Sequence, residues 1–271
     1  VMNYPAVLAR DRELITKIEI LRHRYKKIDG HAPGMRGKRL NAYVCSFIRS
    51  DHECTTAEGA LEKVRRGMQI FVREGSAARN LEALLPAVTR ENHPFFSFCT
   101  DDRDPLEILS EGHIDHLVRT AIARGIDPLV AIRMATINTA RYFNLRSMGA
   151  LAPGYKADMV FVDDLESMEI RMVVKDGRIV VRDGELVDPV TGEFEDLPDS
   201  LGTFRMPDLG LDDLAIPARE GQVRAIRVHD GSLLTEEVHL APRTADGVAA
   251  ADPRQDLAKV MVAARHRGAR F

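Results

Sequence analysis

Apolar residues follow two different periods along the first 145 positions. Between Asp11 and Tyr25, the residues Leu14, Ile15, Ile18, Ile20 and Leu21 fall close to a helical repeat. Short apolar runs with polar ends alternate with such helical stretches. Lys27-Ile28-Asp29-Gly30-His31 reads as a strand end entering a loop, followed by a short helix around Arg39 to Ser46. Phe47 to His52 reads as a second strand. Thr56 is placed to cap a helix from Ala57 to Gly67, with Glu58 as acid in its first turn. Gln69 to Arg73 is a third strand, and Asn80 to Val88 is helical. Phe95 to Asp101 is a fourth strand. Pro105 opens a helix reaching about Ala123, and a further helix runs from Pro128 to about Phe143.

Repeated strand–helix units predict a parallel sheet covered by helices. The expected strands end near His31, His52, Arg73 and Asp101, at intervals of 21, 21 and 28 residues. A closed barrel of eight such units averages ~30 residues per unit, so four units make half a barrel. After Asn144 the period shortens. Met159–Val162, Met172–Val174 and Ile179–Val181 are β-branched runs, with turn signals at Asp176-Gly177 and Asp183-Gly184. They predict a small antiparallel sheet. Residues 188–213 are rich in Pro, Gly and Asp and read as a linker. Beyond them, Val223–Val228 and Glu236–Leu240 read as strands and Asp256 to His266 as a helix.

Composition changes this picture little. The 271 residues are 45% hydrophobic and 29% charged, as in an ordinary globular protein. A formal net charge of −3 gives no reason to expect a nucleic-acid or membrane-surface partner. No apolar run approaches the ~20 residues of a membrane-spanning helix. Cys45, Cys54 and Cys99 are three widely spaced cysteines without a C-x-x-C pair, which suits a reducing cytoplasm. The chain opens Val1-Met2-Asn3 and stops after an expected helix, and is therefore expected to be an internal fragment.

The chemistry concentrates at the strand ends. In a strand–helix barrel the active site lies at the C-terminal ends of the strands, where His31, His52, Arg73 and Asp101 would converge. Imidazole and carboxylate donors suit a borderline divalent cation such as zinc, iron or manganese, which activates water at neutral pH. A single histidine at a strand end is more often a hydrogen-bonded structural residue; three suitable residues on one face weigh toward a metal. Arg73 has the alternative of simply pairing with an acid, and Cys54 and Cys99 read as packing residues. His113 and His116 lie on an expected helix, where capping or surface roles are favoured. His23, His93, His229, His239 and His266 belong to no constellation.

Several strings resemble those of adenine deaminases of the amidohydrolase superfamily. They include Val1-Met2-Asn3-Tyr4-Pro5, Asp29-Gly30-His31-Ala32-Pro33-Gly34, Ser50-Asp51-His52-Glu53, Arg73-Glu74-Gly75-Ser76-Ala77 and Phe98-Cys99-Thr100-Asp101-Asp102. Gly112-His113-Ile114-Asp115, Met134-Ala135-Thr136-Ile137-Asn138 and Gly149 to Asp158 fit as well; the last is widespread in the superfamily. The resemblance covers roughly residues 1–190, and residues 215–271 more weakly.

That resemblance implies an α/β (β/α)8 TIM-like barrel with its second half present, followed by a small β-rich domain and the start of a C-terminal α+β domain. Residues 1–145 would be the barrel half, 146–190 the small β segment, and 191–271 the linker and incomplete C-terminal domain. It implies His31 and His52 as metal ligands after the fifth and sixth strands. It implies Asp101, after the eighth, as both metal contact and proton carrier. Arg73, Ser76 and Asp102 are the purine contacts it suggests. The implied cofactor is a divalent metal, manganese or iron with zinc as a further candidate, binuclear in the complete enzyme. The implied reaction is hydrolysis of adenine to hypoxanthine and ammonia, by a cytoplasmic homo-oligomer acting on a small-molecule purine. The family's His-x-His pair and bridging Glu are absent here, so this chain alone is expected to be incomplete. The alternatives are another amidohydrolase activity, on acetylated amines or cyclic amides, and a non-catalytic fragment.

Overall fold

In the computed structural model the described residues are 1–188, 205–206, 208–218, 221–264 and 269–270. The chain divides into two units, Val1–Pro189 with Asp230–Leu233, and Val190–His229 with Leu234–Phe271.

The first unit begins with three helices, α1 (Tyr4–Leu8), α2 (Arg12–His23) and α3 (Gly37–Cys45). Asp11 caps α2 by accepting from the Leu14 N–H at 2.9 Å. Strand β1 (Ser50–Asp51), helix α4 (Ala57–Val64) and strand β2 (Gln69–Arg73) follow. Thr56 caps α4 through the Gly59 N–H at 3.2 Å. Next come α5 (Leu81–Leu84), β3 (Phe96–Cys99), α6 (Pro105–Ser110), α7 (Ile114–Ala123), α8 (Pro128–Ala135) and α9 (Ile137–Tyr142).

The three strands form one sheet in the order β1-β2-β3, parallel throughout, with Ser50 opposite Gln69 and Val72 opposite Phe98. All five residues of β2 are buried, as expected of a strand covered on both faces. Alternation sorts the two faces. Ile70, Val72, Phe96 and Phe98 pack with Leu81, Leu84, Leu117 and Met134 from the helices. On the opposite face of β2 lie Gln69, Phe71 and Arg73. There Gln69 donates to Ser97 of β3 at 2.9 Å, and the Phe71 ring meets Tyr142 edge-on with centroids 5.4 Å apart. That second face carries the polar groups of the site. A separate apolar cluster, with Ile28, Leu40, Tyr43, Ile48 and Met68, anchors the first three helices.

Several boundaries differ from expectation. The segment ending at His31 forms no strand; one backbone bond, from the Arg49 N–H to the Ile28 carbonyl at 3.2 Å, joins it to its neighbour, and Ser50 Oγ accepts the Gly30 N–H at 3.3 Å and donates to Asp29 at 2.7 Å. Phe47 adopts φ +66°, so the second strand shrinks to Ser50–Asp51. The helix expected over Pro105–Ala123 is two helices, because the chain turns between Ser110 and Ile114. The helix from Pro128 breaks at Thr136, whose φ and ψ of −129° and −94° are not helical.

After α9 comes an antiparallel sheet in sequence order: β4 (Met159–Val162), β5 (Ile170–Lys175), β6 (Arg178–Arg182) and β7 (Glu185–Leu186). Asp176 and Gly177 both have positive φ, 49° and 78°, the conformation that a two-residue hairpin with right-handed twist demands. Gly177 supplies it without steric cost.

In the second unit, β8 (Ile216–Pro217), β11 (Thr244–Ala245) and β12 (Val248–Ala249) form a three-stranded sheet ordered β11-β12-β8. Its longest strands are β9 (Val223–His229) and β10 (Ser232–Leu240), which pair as a hairpin. The helix expected over Asp256–His266 is not formed among the described residues. Asp256 takes φ +52°, and the Leu257 N–H returns to the Asp252 carbonyl at 3.0 Å. Val260 and Val262 within this segment are exposed. His266 lies outside the described residues, as do residues 189–204 and 207 of the expected linker.

Candidate functional site

The C-terminal ends of β1, β2 and β3 bring His52, Arg73 and Asp101 to one end of the sheet, and the loop before α3 brings His31 to the same place. The His31 and His52 rings meet edge to face with centroids 4.5 Å apart. His52 Nε2 lies 3.7 Å from Asp101 Oδ2. Arg73, buried at the end of β2, forms a short hydrogen-bonded ion pair with the same carboxylate oxygen. Asp101 itself is partly exposed and adopts φ +54°, a left-handed conformation uncommon outside glycine and costly to hold. The strand therefore ends abruptly at Cys99. Arg73 holds the carboxylate that follows beside His52.

A further residue joins the histidines. Glu53 follows His52 directly, and its Oε1 lies 3.0 Å from His31 Nδ1. Donor atoms of His31, His52 and Glu53 all lie within 4.8 Å of one another. Glu53 Oε2 is buried without a hydrogen-bond partner. A buried carboxylate oxygen left unpaired is costly, and beside two imidazoles it marks a place for a cation. Burial, with His31 and Arg73 adding to it, lowers the His52 pKa against the opposing pull of Asp51 and Asp101. The imidazole is thereby kept neutral, the form that ligates metal. Sequence reasoning quoted Glu53 within a motif without giving it a role. Its adjacency to His52 was the available signal.

Ser76 and Asp102 lie on the loops beyond β2 and β3. Ser76 Oγ donates to Glu107 at 2.5 Å and accepts from the Asp104 N–H at 2.8 Å, which ties the two loops together. Asp102 Oδ2 accepts the Ala77 N–H at 2.8 Å. His113 bonds through Nε2 to Thr100 Oγ1 at 2.8 Å, and His116 Nε2 lies 3.8 Å from Glu111 Oε2. Cys54 is buried, and burial with the nearby Asp51 charge pushes its thiol well above the usual range, so it is no nucleophile.

Beneath the histidines lies a buried ion pair that sequence reasoning missed. Lys63, on α4, donates to Asp51 Oδ2 at 2.6 Å, and both side chains are almost fully buried. Burial alone would raise the Asp51 pKa, but the Lys63 charge and hydrogen bond hold it below the usual carboxylate range. Burial alone would lower that of Lys63, and Asp51 holds it above its ordinary value. Lys63 lies three residues after buried Ala60 and so shares its inward face, but a lysine is rarely buried unless paired, and the pairing with Asp51 is not visible from spacing on the helix. A cleft of about 500 Å³ lined by His93, Arg133, Asn138 and Arg141 lies beside the opposite end of β3, away from these groups.

Comparison with known proteins adds the following. A family model described as "Amidohydrolase family" matches residues 1–180. The chain is 55% identical over 271 residues to a protein named adenine deaminase from Thermosipho africanus, covering all of this chain and 47% of that protein. It is 53% identical over 266 residues to an adenine deaminase from Kosmotoga olearia, covering 98% of this chain and 46% of that protein. The chain thus spans about half the length of the curated relatives it matches. Among solved structures it resembles a beta-aspartyl dipeptidase from Fervidobacterium islandicum, with TM-score 0.51 and 19% identity. That likeness covers 69% of this chain and 54% of the other.

Proposed function

Because the chain belongs to the amidohydrolase family, whose architecture is a barrel of TIM type, we propose that the whole protein hydrolyses adenine to hypoxanthine and ammonia. In this reading residues 1–145 are the second half of the eight-unit barrel. Residues 146–190 belong to a small β-rich domain, and 191–271 to a linker and the opening of a C-terminal domain. Three free cysteines suit a reducing cytoplasm. The observation that carries the functional reading is the gathering of His31, His52, Glu53 and Asp101 at one end of the parallel sheet.

His31, His52 and Glu53 would hold a divalent cation, and the unpaired Oε2 of Glu53 fits that role. Asp101 supplies a further oxygen beside His52. Manganese or iron, with zinc as a further candidate and a second ion in the complete enzyme, would lower the pKa of water and polarise the reacting centre. The remaining chemistry falls to this chain's own groups. Asp101 accepts the proton of the attacking water at a carboxylate oxygen. It then delivers that proton toward the ring nitrogen or the leaving amine as C6 passes through its tetrahedral stage. Arg73 keeps the Asp101 carboxylate oriented beside His52 through their hydrogen-bonded ion pair. Arg73, Ser76 and Asp102 form the polar rim that meets the purine.

The test is product formation by the full-length protein supplied with manganese: ammonia from adenine and from adenosine, acetate from an N-acetylated amino sugar, and the ring-opened acid from a cyclic amide. Adenine should be the preferred substrate by kcat/KM. Turnover of the acetylated sugar or cyclic amide without turnover of adenine would overturn the assignment.

A further inference from the structure

The buried pair of Lys63 and Asp51 reaches the backbone of Ala32, next to His31, and the thiol of Cys54, next to Glu53. Lys63 Nζ donates to the Ala32 carbonyl at 2.7 Å, to Asp51 Oδ2 at 2.6 Å and to Cys54 Sγ at 3.3 Å, so all three ammonium hydrogens are used. Asp51 Oδ1 accepts the Ala32 N–H at 2.8 Å, while Oδ2 also accepts the Cys54 thiol at 3.1 Å. Both polar groups of the Ala32 backbone are therefore held by the pair, and Ala32 is the residue after His31. Asp51 and Cys54 bracket His52 and Glu53 in the sequence. Asp51 and Ala32 have no exposed surface, so water cannot replace these bonds.

We propose that Lys63 and Asp51 are positioning residues that set the distance between His31 and the His52–Glu53 pair, and through it the affinity for a divalent cation. The proposal rests on the metal-site reading above. A buried ion pair is a poor device for stability, since taking both charges out of water offsets most of their attraction. It is an effective device for fixing geometry. Its hydrogen bonds join the Ala32 backbone to Cys54, the residue after Glu53, and they add to the bond that the His31 N–H makes to the Val1 carbonyl at 3.2 Å. Groups that orient metal ligands from behind typically contribute about 10–100-fold in metal affinity.

The experiment uses the full-length protein stripped of metal, with manganese(II) as the probe, titrated calorimetrically alongside thermal unfolding of the metal-free form. The double variant Lys63→Met/Asp51→Asn removes both charges together, so no uncompensated charge is left buried. Its manganese affinity should fall by about 10–100-fold. The variant Val174→Ala, buried in the antiparallel sheet and outside both core clusters, should lower the unfolding temperature while leaving affinity within about threefold, as expected of an independent site. Lys63→Arg keeps the cation, but its planar head cannot reach all three acceptors at once. It too should bind manganese more weakly, which provides the same readout if the double variant does not fold. His52→Ala separates the two readings: unchanged affinity there would refute the metal site itself. Loss of affinity in His52→Ala with wild-type affinity in both Lys63 variants would overturn the positioning role alone.

Discussion

Gly30 precedes His31, and replacing it with alanine should destabilise the first unit through crowding alone. A Cβ added at Gly30 would lie 2.0 Å from Tyr43 Oη and 2.4 Å from Ile48 Cγ2. Both distances are far below contact, and neither neighbour can move aside, because Tyr43 and Ile48 are completely buried in the cluster under the first three helices. Gly30 is not among the residues with positive φ, so backbone strain contributes nothing and the effect isolates packing. Overpacking a filled site costs about 1–3 kcal/mol. In a unit of this size each kcal/mol shifts the melting temperature by about 2–4 °C, so Gly30→Ala should melt roughly 2–12 °C lower. The assay is thermal unfolding of the full-length metal-free protein followed by circular dichroism, with Gly210→Ala as control, since an added Cβ there meets nothing within 4 Å. A Gly30→Ala melting temperature within a degree of wild type would refute the reasoning, because it would mean that Tyr43 and Ile48 can yield without cost.

Asp101→Asn should lower kcat on adenine by about 10²–10⁴, the usual worth of a proton-transferring group, with a smaller change in KM. Steady-state ammonia release measures this, and near-full turnover would remove Asp101 from the chemistry. Residues 1–271 expressed alone should release little or no ammonia from adenine. In the three-stranded parallel sheet, β1 and β3 each have a strand neighbour on one side only among the described residues, and unpaired strand edges invite association with other chains. Turnover by the isolated chain at the rate of the full-length protein would show that its own residues complete the site.

Much of the site was legible before any coordinates. Strand ends at His52, Arg73 and Asp101 follow from apolar runs that finish in polar residues, and parallel topology then places those ends together. Asp176-Gly177 and Asp183-Gly184 declared their hairpins because only a few residue types tolerate paired positive φ. The caps Asp11 and Thr56 were equally local signals, Thr56 read directly and Asp11 marking the start of its helix.

What the sequence determined by itself was therefore whatever depends on neighbours a few residues away: period, caps, turns and the order of strands and helices. Tertiary structure decided the rest. The helix expected from Asp256 is not formed among the described residues, because Asp256 takes a left-handed conformation and the Leu257 N–H returns to the Asp252 carbonyl. Lys63 lies inside because Asp51, twelve residues earlier, and Ala32, thirty-one residues earlier, present oxygens that satisfy its ammonium group. Glu53 becomes a candidate ligand because His31 arrives from another loop to within 3.0 Å. Charges change role when distant groups remove water from around them, and that distance is set by packing rather than by spacing along the chain.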